Sequence, residues 1–324
     1  MGKILIITIR GKGGGAEKII ENLVGSNLDK FIWINMEPFL HYRFLFRYIK
    51  FFWMIFNQIK KVDKIIIGTE GLLGLIVFPF RIFFWKKFIL WNHCSFDDYK
   101  FFLNKKNRFF YRLSYIFYPK CISASPVFKK DCFLPNPYFF KKKINYKNNF
   151  LNSDSFLLLS VSSLARLKRV DRTIELLISL PFKYSLKIYG DGVERTNLQN
   201  IVVNAGVQER VSFLGFKDDP FEQNVSLARI LIVNSETEAL PTIIIEAIEN
   251  NVPVIVREYN GAKYWKNFNM VTVKKQIEHD DVIERVNYFS RLGSDEYSKM
   301  FAQDISRLKK LHDYSAFAEF LYDI

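Results

Sequence analysis

The chain has 324 residues, of which 49% are hydrophobic, so it is long enough for two globular domains with separate cores and is not a disordered protein. Its formal net charge is +14. Residues 1–150 contain 26 Lys and Arg against 9 Asp and Glu, whereas the rest of the chain is nearly balanced. We therefore expect the first half to meet a polyanion, for which lipid headgroups, nucleic acid and a phosphorylated substrate are the candidates.

The sequence shows no segment with the character of a membrane span, which needs about 20 mostly apolar residues. The apolar run 71–80 is too short, and the apolar opening 3–9 is followed by glycines and charge, which predicts a strand and not a signal peptide. Cys94, Cys121 and Cys132 have neither disulfide-framework nor zinc-site spacing. We expect them to be buried thiols in a reducing cytoplasm.

Short strand-like runs alternate with longer helical patterns along the whole chain. This rhythm is typical of βαβ units and predicts an α/β protein with two doubly wound parallel sheets, each covered by helices on both faces. The predicted strands of the first sheet are 3–9, 31–35, 64–68, 87–91 and 121–124, and those of the second are 156–161, 185–189, 211–215, 230–233 and 252–256.

A polar, basic stretch at 141–149 has the composition of a linker. It predicts one domain at 1–150 and a second at 151–324, with the last helix able to pack back on the first domain. Two doubly wound domains in series bind a ligand in the crevice between them, beyond the carboxyl ends of the strands.

A glycine-rich loop follows the first predicted strand. Gly11, Gly13 and Ala16 satisfy the G-x-G-x-x-A pattern of dinucleotide-binding proteins, and Glu37 follows about 20 residues later, where a ribose-binding acid would stand. The same loop type also binds other phosphates or sugars, or forms a plain tight turn. A dinucleotide-dependent oxidoreductase is therefore one open alternative, and the basic charge makes a nucleic-acid-binding protein another.

Two acids mark the segment that follows the predicted strand 230–233. Glu238 lies in the loop at the carboxyl end of this strand, where it can accept hydrogen bonds from sugar hydroxyls. Glu246 lies one turn into the next helix and can hold a ribose diol. The amides of Thr242 and Ile243, at the start of that helix, are expected to meet a diphosphate.

The E-x7-E spacing of these acids resembles the signature of the retaining glycosyltransferases of family 4. Other segments resemble motifs of that family, and the resemblance covers most of the chain. They are 161–169 (V-G-R-L-x-x-x-K-G), 189–192 (G-D-G), 211–216 (V-x-F-x-G), 252–255 (P-V-I), 13–17 (G-G-x-E), 91–93 (a sugar-contacting histidine) and 134–137 (a P-N-P hinge).

The resemblance implies a GT-B fold, in which two Rossmann-like domains face a central cleft, and a hexosyltransferase that moves a sugar from a nucleotide-sugar with retention of configuration. It also implies catalysis without a metal, and we expect no cofactor, since no Asp-x-Asp clasp is present. The implied site residues are Glu238 and His93 for catalysis; Lys168, Arg166, Arg169, Ser163, Thr242 and Ile243 for the donor diphosphate; Glu246, Gly190, Gly215 and Phe216 for the nucleoside; and Gly13, Gly14, Gly15 and Glu17 in the glycine loop.

The sequence departs from the family pattern at Ser163, at Asn251 and in the segment 259–263, which lacks the Gly-Gly pair and the later Glu common at this place. Ser163 stands where the family has an arginine that binds the diphosphate, and a serine offers one donor where an arginine offers several. Lys168 keeps its role, and either Arg166 or Arg169 is expected to compensate. Asn251 replaces a glycine, which is acceptable because asparagine enters the left-handed backbone region.

The acceptor is predicted from the first half of the chain. Aromatic and basic residues are mixed in the helical stretch 43–61, for which a place in the domain core and contact with a membrane are both open. The mixture favours a cytoplasmic enzyme bound peripherally to the anionic inner face of the cytoplasmic membrane, acting on a glycan or lipid-linked acceptor in lipopolysaccharide or capsule biosynthesis. No nucleic acid partner is expected, since no recognition motif is present.

Overall fold

The computed structural model describes residues 3–11, 15–26, 29–39, 41, 44–69, 71–84, 87–93, 100–118, 120–124, 132–141, 147–223 and 226–324. The chain divides into two compact units, Met1–Phe139 with Leu311–Ile324, and Phe140–Lys310. The division thus falls before the basic stretch 141–149, whereas the sequence placed it after that stretch. The C-terminal segment belongs to the first unit.

Two parallel six-stranded sheets carry the fold. The strands are β1 (Lys3–Thr8), β2 (Phe31–Asn35), β3 (Val62–Ile67), β4 (Phe88–Asn92), β5 (Cys121–Ser123), β6 (Cys132–Phe133), β7 (Phe156–Val161), β8 (Tyr184–Tyr189), β9 (Val211–Gly215), β10 (Ala228–Val233), β11 (Val254–Arg257) and β12 (Val271–Lys274). Every predicted strand is present, which confirms the doubly wound α/β architecture. Strands β6 and β12, of two and four residues, were not predicted.

The described helices begin and end as follows. They are α1 (Gly15–Ser26), α2 (Phe44–Ile59), α3 (Leu72–Phe84), α4 (Lys105–Phe117), α5 (Val170–Ser179), α6 (Arg195–Asn204), α7 (Thr242–Glu249), α8 (His279–Arg291), α9 (Ser294–Leu311) and α10 (Tyr314–Asp323). None of the described helices is long and apolar enough to cross a bilayer.

The alternation of side chains along β1 fills two cores, one on each face of the first sheet. Leu5 and Ile7 pack on the face covered by α2 and α3, whereas Ile4 and Ile6 pack on the face covered by α1 and α10. The first sheet has the strand order β2-β1-β3-β4-β5-β6, so both of its faces are buried, as expected for a parallel sheet.

Helices α2, α3 and α4 form one layer on the first sheet, which we call the outer helical layer. The rings of Phe52 on α2 and Phe80 on α3 are 5.5 Å apart, and those of Phe78 and Phe117 stack at 4.2 Å between α3 and α4. The α3–α4 contact is close because Gly74 has no side chain: a Cβ there would lie 3.1 Å from the Ser114 Cβ. Three consecutive helices are thus packed side by side.

The C-terminal helix α10 is fixed to the first unit by polar contacts. Lys64 Nζ donates to the carbonyls of Leu321 and Tyr322, which places a cation at the carboxyl end of α10, where the helix dipole favours it. Before the helix, the Tyr138 amide donates to the His312 carbonyl at 2.9 Å. His312 Nδ1 lies 2.6 Å from the Asn136 carbonyl oxygen.

The prediction of three buried thiols is wrong for Cys132, which is exposed because β6 is a short strand at the edge of the sheet. Cys121 is half-buried, and its thiol donates to the Tyr118 carbonyl at 3.1 Å. Cys94 lies outside the described residues.

The second sheet has the order β12-β11-β10-β7-β8-β9, so the chain order reverses between β7 and β10. In open α/β sheets, ligands bind at the carboxyl ends of the strands beside such a reversal. All six residues of β10 are buried, as are the first five of β7. The two strands that present the reversal point are therefore the rigid centre of the unit.

The buried His312 predicts an acid-sensitive step in stability. Burial lowers its pKa from 6.5 to about 4, partly opposed by the contact with the Asn136 carbonyl. The folded protein keeps the His312 ring neutral. The stability of the fold is therefore unaffected by protonation of this ring above the pKa of the unfolded state, and it falls as the pH drops from that value toward about 4. We expect His312→Gln to reduce the loss of unfolding free energy between about pH 6.5 and 4.5 by roughly 1–3 kcal/mol, measured by urea denaturation.

The matched control is His279→Gln, because the His279 side chain is 48% exposed. That variant should keep the pH dependence of the natural protein. An unchanged slope for His312→Gln would contradict the assignment.

Candidate active site

The loops after β7 and β10 meet at the reversal point of the second sheet. Lys168 ends the short turn Arg166–Lys168 that follows β7, and Glu238 lies in the loop that follows β10. Lys168 Nζ pairs with Glu238 Oε1, and the two side chains are 20% and 16% exposed. Ser235 Oγ donates to the same oxygen at 2.9 Å, whereas Glu238 Oε2 has no partner among the described residues. Two of the residues that the sequence assigned to the site thus lie in contact.

The backbone of the loop that contains Glu238 packs closely against Gly261, in the segment after β11. A Cβ on Gly261 would lie 2.3 Å from the Ala239 carbonyl oxygen and 3.0 Å from that of Glu238. Tyr259 is buried in the same place, where burial and then the charge of Glu238 raise its pKa. Only glycine permits this approach, so position 261 helps to fix the height of the Glu238 loop above the sheet.

A second acid of the same loop, Glu236, forms ion pairs with three guanidinium groups. Arg169 Nη1 lies 2.7 Å and Arg172 Nη1 3.2 Å from Glu236 Oε1, and Arg257 Nη1 lies 2.6 Å from Oε2. Arg169 also pairs with Asp171 at 2.9 Å. We call these five residues the Glu236 cluster. Of these five residues, the sequence analysis assigned only Arg169 to the site. The sequence signal that could have pointed to the cluster was Glu236 itself, an acid two positions before Glu238.

The contacts within the cluster favour the charged forms of Glu236 and Arg169. Burial alone raises the pKa of Glu236, but hydrogen bonds from Arg169 and Arg257 outweigh it, and the pKa lies below the ordinary 4.5. The hydrogen bond to Asp171, and then that to Glu236, raises the pKa of Arg169. Both shifts favour the charged forms of Glu236 and Arg169 at neutral pH.

The structure separates the two candidates for the missing arginine. Arg169 is held by Asp171 and Glu236, and its backbone is left-handed, with φ 50°, at the position where the resembled motif has glycine. Arg166 is exposed, and its side chain has no hydrogen bond or ion pair with any described residue. Ser163 is exposed too.

Arg166 lines a cavity of about 430 Å³ between the loop after β7 and the start of α6. The other lining residues are Ala165, Arg169, Val170, Asp171, Glu194, Asn197 and Leu198. Neither Lys168 nor Glu238 lines it, so the cavity lies beside the ion pair. The guanidinium that lines this cavity at Arg166 belongs to a residue two positions before Lys168 in the sequence.

Helix α7 begins next to the Glu238 loop. Pro241 precedes it, and no side chain caps its first amides, which include those of Thr242 and Ile243. Glu246 lies one turn in and is half-buried, and Thr242 Oγ1 donates to its Oε1 at 3.4 Å. The helix thus presents uncapped amides and a carboxylate that contacts its first turn.

The glycines assigned to the nucleoside lie at the ends of β8 and β9. Gly190 has φ 125°, and a Cβ there would meet the Ser162 carbonyl oxygen at 1.8 Å, so the position requires glycine. Its amide donates to the Gly215 carbonyl at 2.8 Å. The next side chain, Phe216, is exposed. Asn251 has φ 60°, as its place in the pattern predicted.

The remaining predicted residues lie in the first unit. His93 follows β4, its ring is 4.8 Å from that of Trp91, and burial lowers its pKa to about 4, partly opposed by an interaction with the Gly68 backbone. It is therefore neutral at physiological pH. Gly15 and Glu17 stand in the first turn of α1, whereas Gly13 and Gly14 lie outside the described residues.

Glu37 lies just after β2, beside the first residue of the glycine-rich loop. Its Oε2 accepts a hydrogen bond of 2.6 Å from the Gly11 amide. A Cβ on Gly11 would lie 2.9 Å from the same oxygen. In the described part of the chain, no three His, Cys, Asp or Glu side chains group as a metal site would require.

The geometry agrees with the comparison to known families. The model of the glycosyl transferases group 1 family matches residues 141–305, just over half of the chain. The chain belongs to this family. Lys168, Glu238 and Glu246 lie inside the matched region. Membership in this family disfavours the oxidoreductase and nucleic-acid alternatives.

Individual relatives give the same result. The O-antigen biosynthesis glycosyltransferase WclY of Escherichia coli is 32% identical over 115 residues, which are 35% of this chain and 32% of WclY. The alignment thus spans about a third of that curated relative.

Solved structures match over the whole length. HepE of Anabaena, in complex with UDP-glucose, superposes with a TM-score of 0.77 at 15% identity, covering 99% of this chain and 98% of HepE. WaaG, a glycosyltransferase involved in lipopolysaccharide biosynthesis, has a TM-score of 0.66 at 16% identity over 99% of this chain and 98% of its own. These likenesses confirm the GT-B fold class.

The close backbone contact at Gly261 makes the site sensitive to one methyl group. We expect Gly261→Ala to lower the unfolding free energy by about 1–3 kcal/mol, because a Cβ would displace the Ala239 and Glu238 carbonyls. Chemical denaturation measures the change. Gly293→Ala is the control, since a Cβ at Gly293 meets nothing within 4 Å; equal effects of the two substitutions would show that the contact is unimportant.

Proposed function

We propose that the chain is a family 4 glycosyltransferase that moves a sugar from a nucleotide-sugar to a glycan acceptor with retention of anomeric configuration. The observation that carries the proposal is the Lys168–Glu238 pair at the reversal point of the second sheet. The family model supports the transfer, and the spacing of Glu238 and Glu246 supports the family 4 assignment and the retaining outcome. The transfer is expected to need no metal.

Lys168 is proposed to bind the donor diphosphate. As the bond between sugar and diphosphate breaks, negative charge grows on the leaving phosphate oxygen, and a nearby ammonium stabilises that charge. The uncapped amides of Thr242 and Ile243 can add to the effect. Because Lys168 is paired with Glu238, an arriving diphosphate would exchange one anionic partner for another, and Glu238 would become available to the sugar.

Glu238 is proposed to contact the transferred sugar. Its Oε1 is held by Lys168 and Ser235, and Oε2 is the acceptor left for a sugar hydroxyl. His93 is proposed as a second sugar contact from the first unit. It would act as a neutral imidazole, because burial lowers its pKa to about 4.

Arg166 is proposed to take the place of the arginine that the family has at position 163. Its side chain is the exposed guanidinium of the turn that ends in Lys168, and no described residue neutralises it. Arg169 serves the Glu236 cluster instead. A guanidinium can donate to two phosphate oxygens at once, which a serine cannot do.

The nucleoside is proposed to lie at the ends of β8 and β9. Glu246 would hold the ribose hydroxyls, and the exposed Phe216 offers an aromatic face beside the Gly190–Gly215 backbone contact. HepE binds UDP-glucose, so uridine diphosphate sugars are the first donors to test.

A thermal-shift screen with UDP-, GDP-, ADP- and CMP-sugars identifies the donor by the increase in unfolding temperature. With that donor we expect Lys168→Ala and Arg166→Ala each to weaken binding about tenfold, since each removes a charge-assisted contact. Glu238→Gln should retain donor binding and lower transfer by about a hundredfold or more, measured with a radiolabelled sugar.

Lys183→Ala is the matched control. Lys183 precedes β8 at the amino end of the second sheet, so its loss removes the same charge far from the proposed site. No stabilisation by any nucleotide-sugar would refute the function, and full transfer activity in Glu238→Ala would refute the mechanism.

We also propose that the enzyme works on the anionic inner face of the cytoplasmic membrane, on a lipid-linked acceptor of lipopolysaccharide type, as the relatives suggest. The support is the outer helical layer. None of its three helices contains an Asp or Glu, although they contain seven Lys and Arg.

The solvent face of the layer is apolar as well as basic. Helix α2 buries Phe51, Ile55 and Ile59, yet its opposite face bears a second apolar stripe, in which Trp53 is 69% exposed. On α3, Phe83 is 82% exposed. The exposed large side chains of the layer are Phe46, Ile49, Trp53, Phe56, Leu72, Ile82, Phe83, Phe109 and Ile116. Such a surface favours the interface between headgroups and acyl chains.

The charge of the layer is concentrated on α4. Lys105, Arg108, Phe109 and Arg112 recur at helical spacing on one face, and with Lys100 they line a cavity of about 480 Å³. Like charges at this spacing repel one another, and α4 has no acid to offset them. Anionic headgroups would supply a counter-charge.

Vesicle flotation tests the membrane proposal. We expect binding to phosphatidylglycerol vesicles at low salt, weak binding to phosphatidylcholine vesicles, and a roughly 30-fold loss of affinity in the Arg108→Ala/Arg112→Ala variant, at about 1 kcal/mol per cation. Lys183→Ala/Lys275→Ala removes the same net charge from the second unit and should bind normally. Failure of the natural protein to float with anionic vesicles at low salt would refute the proposal.

A further inference from the structure

Glu236 is connected to both loops of the proposed site. Its amide donates to the Leu167 carbonyl at 2.8 Å, which ties it to the residue before Lys168. It also stands two residues before Glu238 in the same loop. The backbone around Glu236 therefore joins the loop after β7 to the loop after β10.

The carboxylate of Glu236 extends this connection to two further elements. Arg172 lies in the first turn of α5, and Arg257 is the last residue of β11. Both point their guanidinium groups at Glu236, at 3.2 and 2.6 Å. Without this carboxylate, Asp171 would be the one acid of the Glu236 cluster left to offset three arginines, and we expect their repulsion to loosen the contact between the elements.

The conformation of Arg169 shows that this contact outweighs a local preference. The residue is left-handed, with φ 50° and ψ 44°, a backbone region that is unfavourable for a residue with a side chain. Its side chain is bound on both sides, by Asp171 and by Glu236. An isolated surface ion pair stabilises a protein only slightly, whereas a network of several partly buried pairs can hold such a turn in place.

We propose that Glu236 is a positioning residue, which holds the two loops in register so that Lys168 and Glu238 meet at the reversal point of the second sheet. Glu236 contacts neither residue through its carboxylate. It acts through the arginines of the Glu236 cluster and through its own amide. Only the catalytic consequence of this inference rests on the proposed function; the register of the loops does not.

Lysine labelling tests the register directly. Lys168 is paired and largely buried, so an amine-reactive reagent should modify it slowly in the natural protein. In Glu236→Gln the loops lose their common anchor, and we expect modification of Lys168 to proceed roughly three- to tenfold faster, measured by peptide mass spectrometry. Lys274, which pairs with Asp281 at 2.7 Å in the same unit, should react at an unchanged rate, because unfolding alone would expose both lysines.

Two further variants complete the design. Glu284→Gln removes an acid that is 78% exposed and should leave the rate at Lys168 unchanged. Arg257→Gln removes one of the three guanidinium contacts and replaces Glu236→Gln if that variant does not fold; a smaller increase at Lys168 is expected. An unchanged rate in a folded Glu236→Gln or Arg257→Gln protein would overturn the inference.

The catalytic consequence is measured separately, with the donor found in the nucleotide-sugar screen. Loss of register should raise the donor KM and lower kcat together in Glu236→Gln, since both site residues are displaced. Unchanged kinetics with faster labelling would keep the positioning role and refute its part in transfer. Absence of any nucleotide binding by the natural protein would refute the function and leave the labelling result standing.

Discussion

The ion pair between Lys168 and Glu238 joins the two loops that diverge where the strand order of the second sheet reverses. Its geometry depends on β7 and β10, which are adjacent, buried on both faces and in register from Phe156 opposite Ala228. Strands of this kind cannot shift without moving the whole core, so the loops leave the sheet at fixed points. The two opposite charges placed at those points meet without further adjustment, so the diphosphate of the proposed donor would meet a lysine that is already in position.

The sequence was a good guide wherever one stretch of chain determines the outcome. The buried strands are continuous apolar runs, so their positions and the two-sheet architecture could be predicted, and the E-x7-E spacing put Glu238 and Glu246 on successive elements. The Glu236 cluster could not be predicted, because its members come from α5, β11 and the loop after β10, and only the fold brings these side chains together. For the same reason the association of α10 with the first unit, through Lys64, was left open.

Arg169 illustrates how a motif can be misread at the level of a single side chain. A basic residue beside Lys168 suggests a phosphate ligand, yet its guanidinium is occupied by Asp171 and Glu236. The left-handed backbone shows that the position suits glycine, so the arginine is there for its side chain. With Ser163 offering only a hydroxyl, the turn is left with Arg166 as its one exposed guanidinium. Counting the positive charges in the loop after β7 would therefore overestimate how many of them are free of an acidic partner within the described residues.

The two units use positive charge in different ways, and the difference has a physical consequence. In the second unit the arginines of the Glu236 cluster are partly buried, and their guanidinium nitrogens lie 2.6–3.2 Å from the Glu236 carboxylate oxygens. Dissolved ions screen such close, partly buried pairs only weakly. In the outer helical layer Lys105, Arg108 and Arg112 are exposed and no acid of α4 offsets them, so salt screens them strongly. Paired charges of the first kind can hold a site of fixed shape for one discrete anion. Exposed charges of the second kind suit an extended anionic surface, to which many weak contacts add. Ionic strength should therefore separate the two proposed activities, weakening the proposed attachment to a membrane well before it loosens the site at the reversal point.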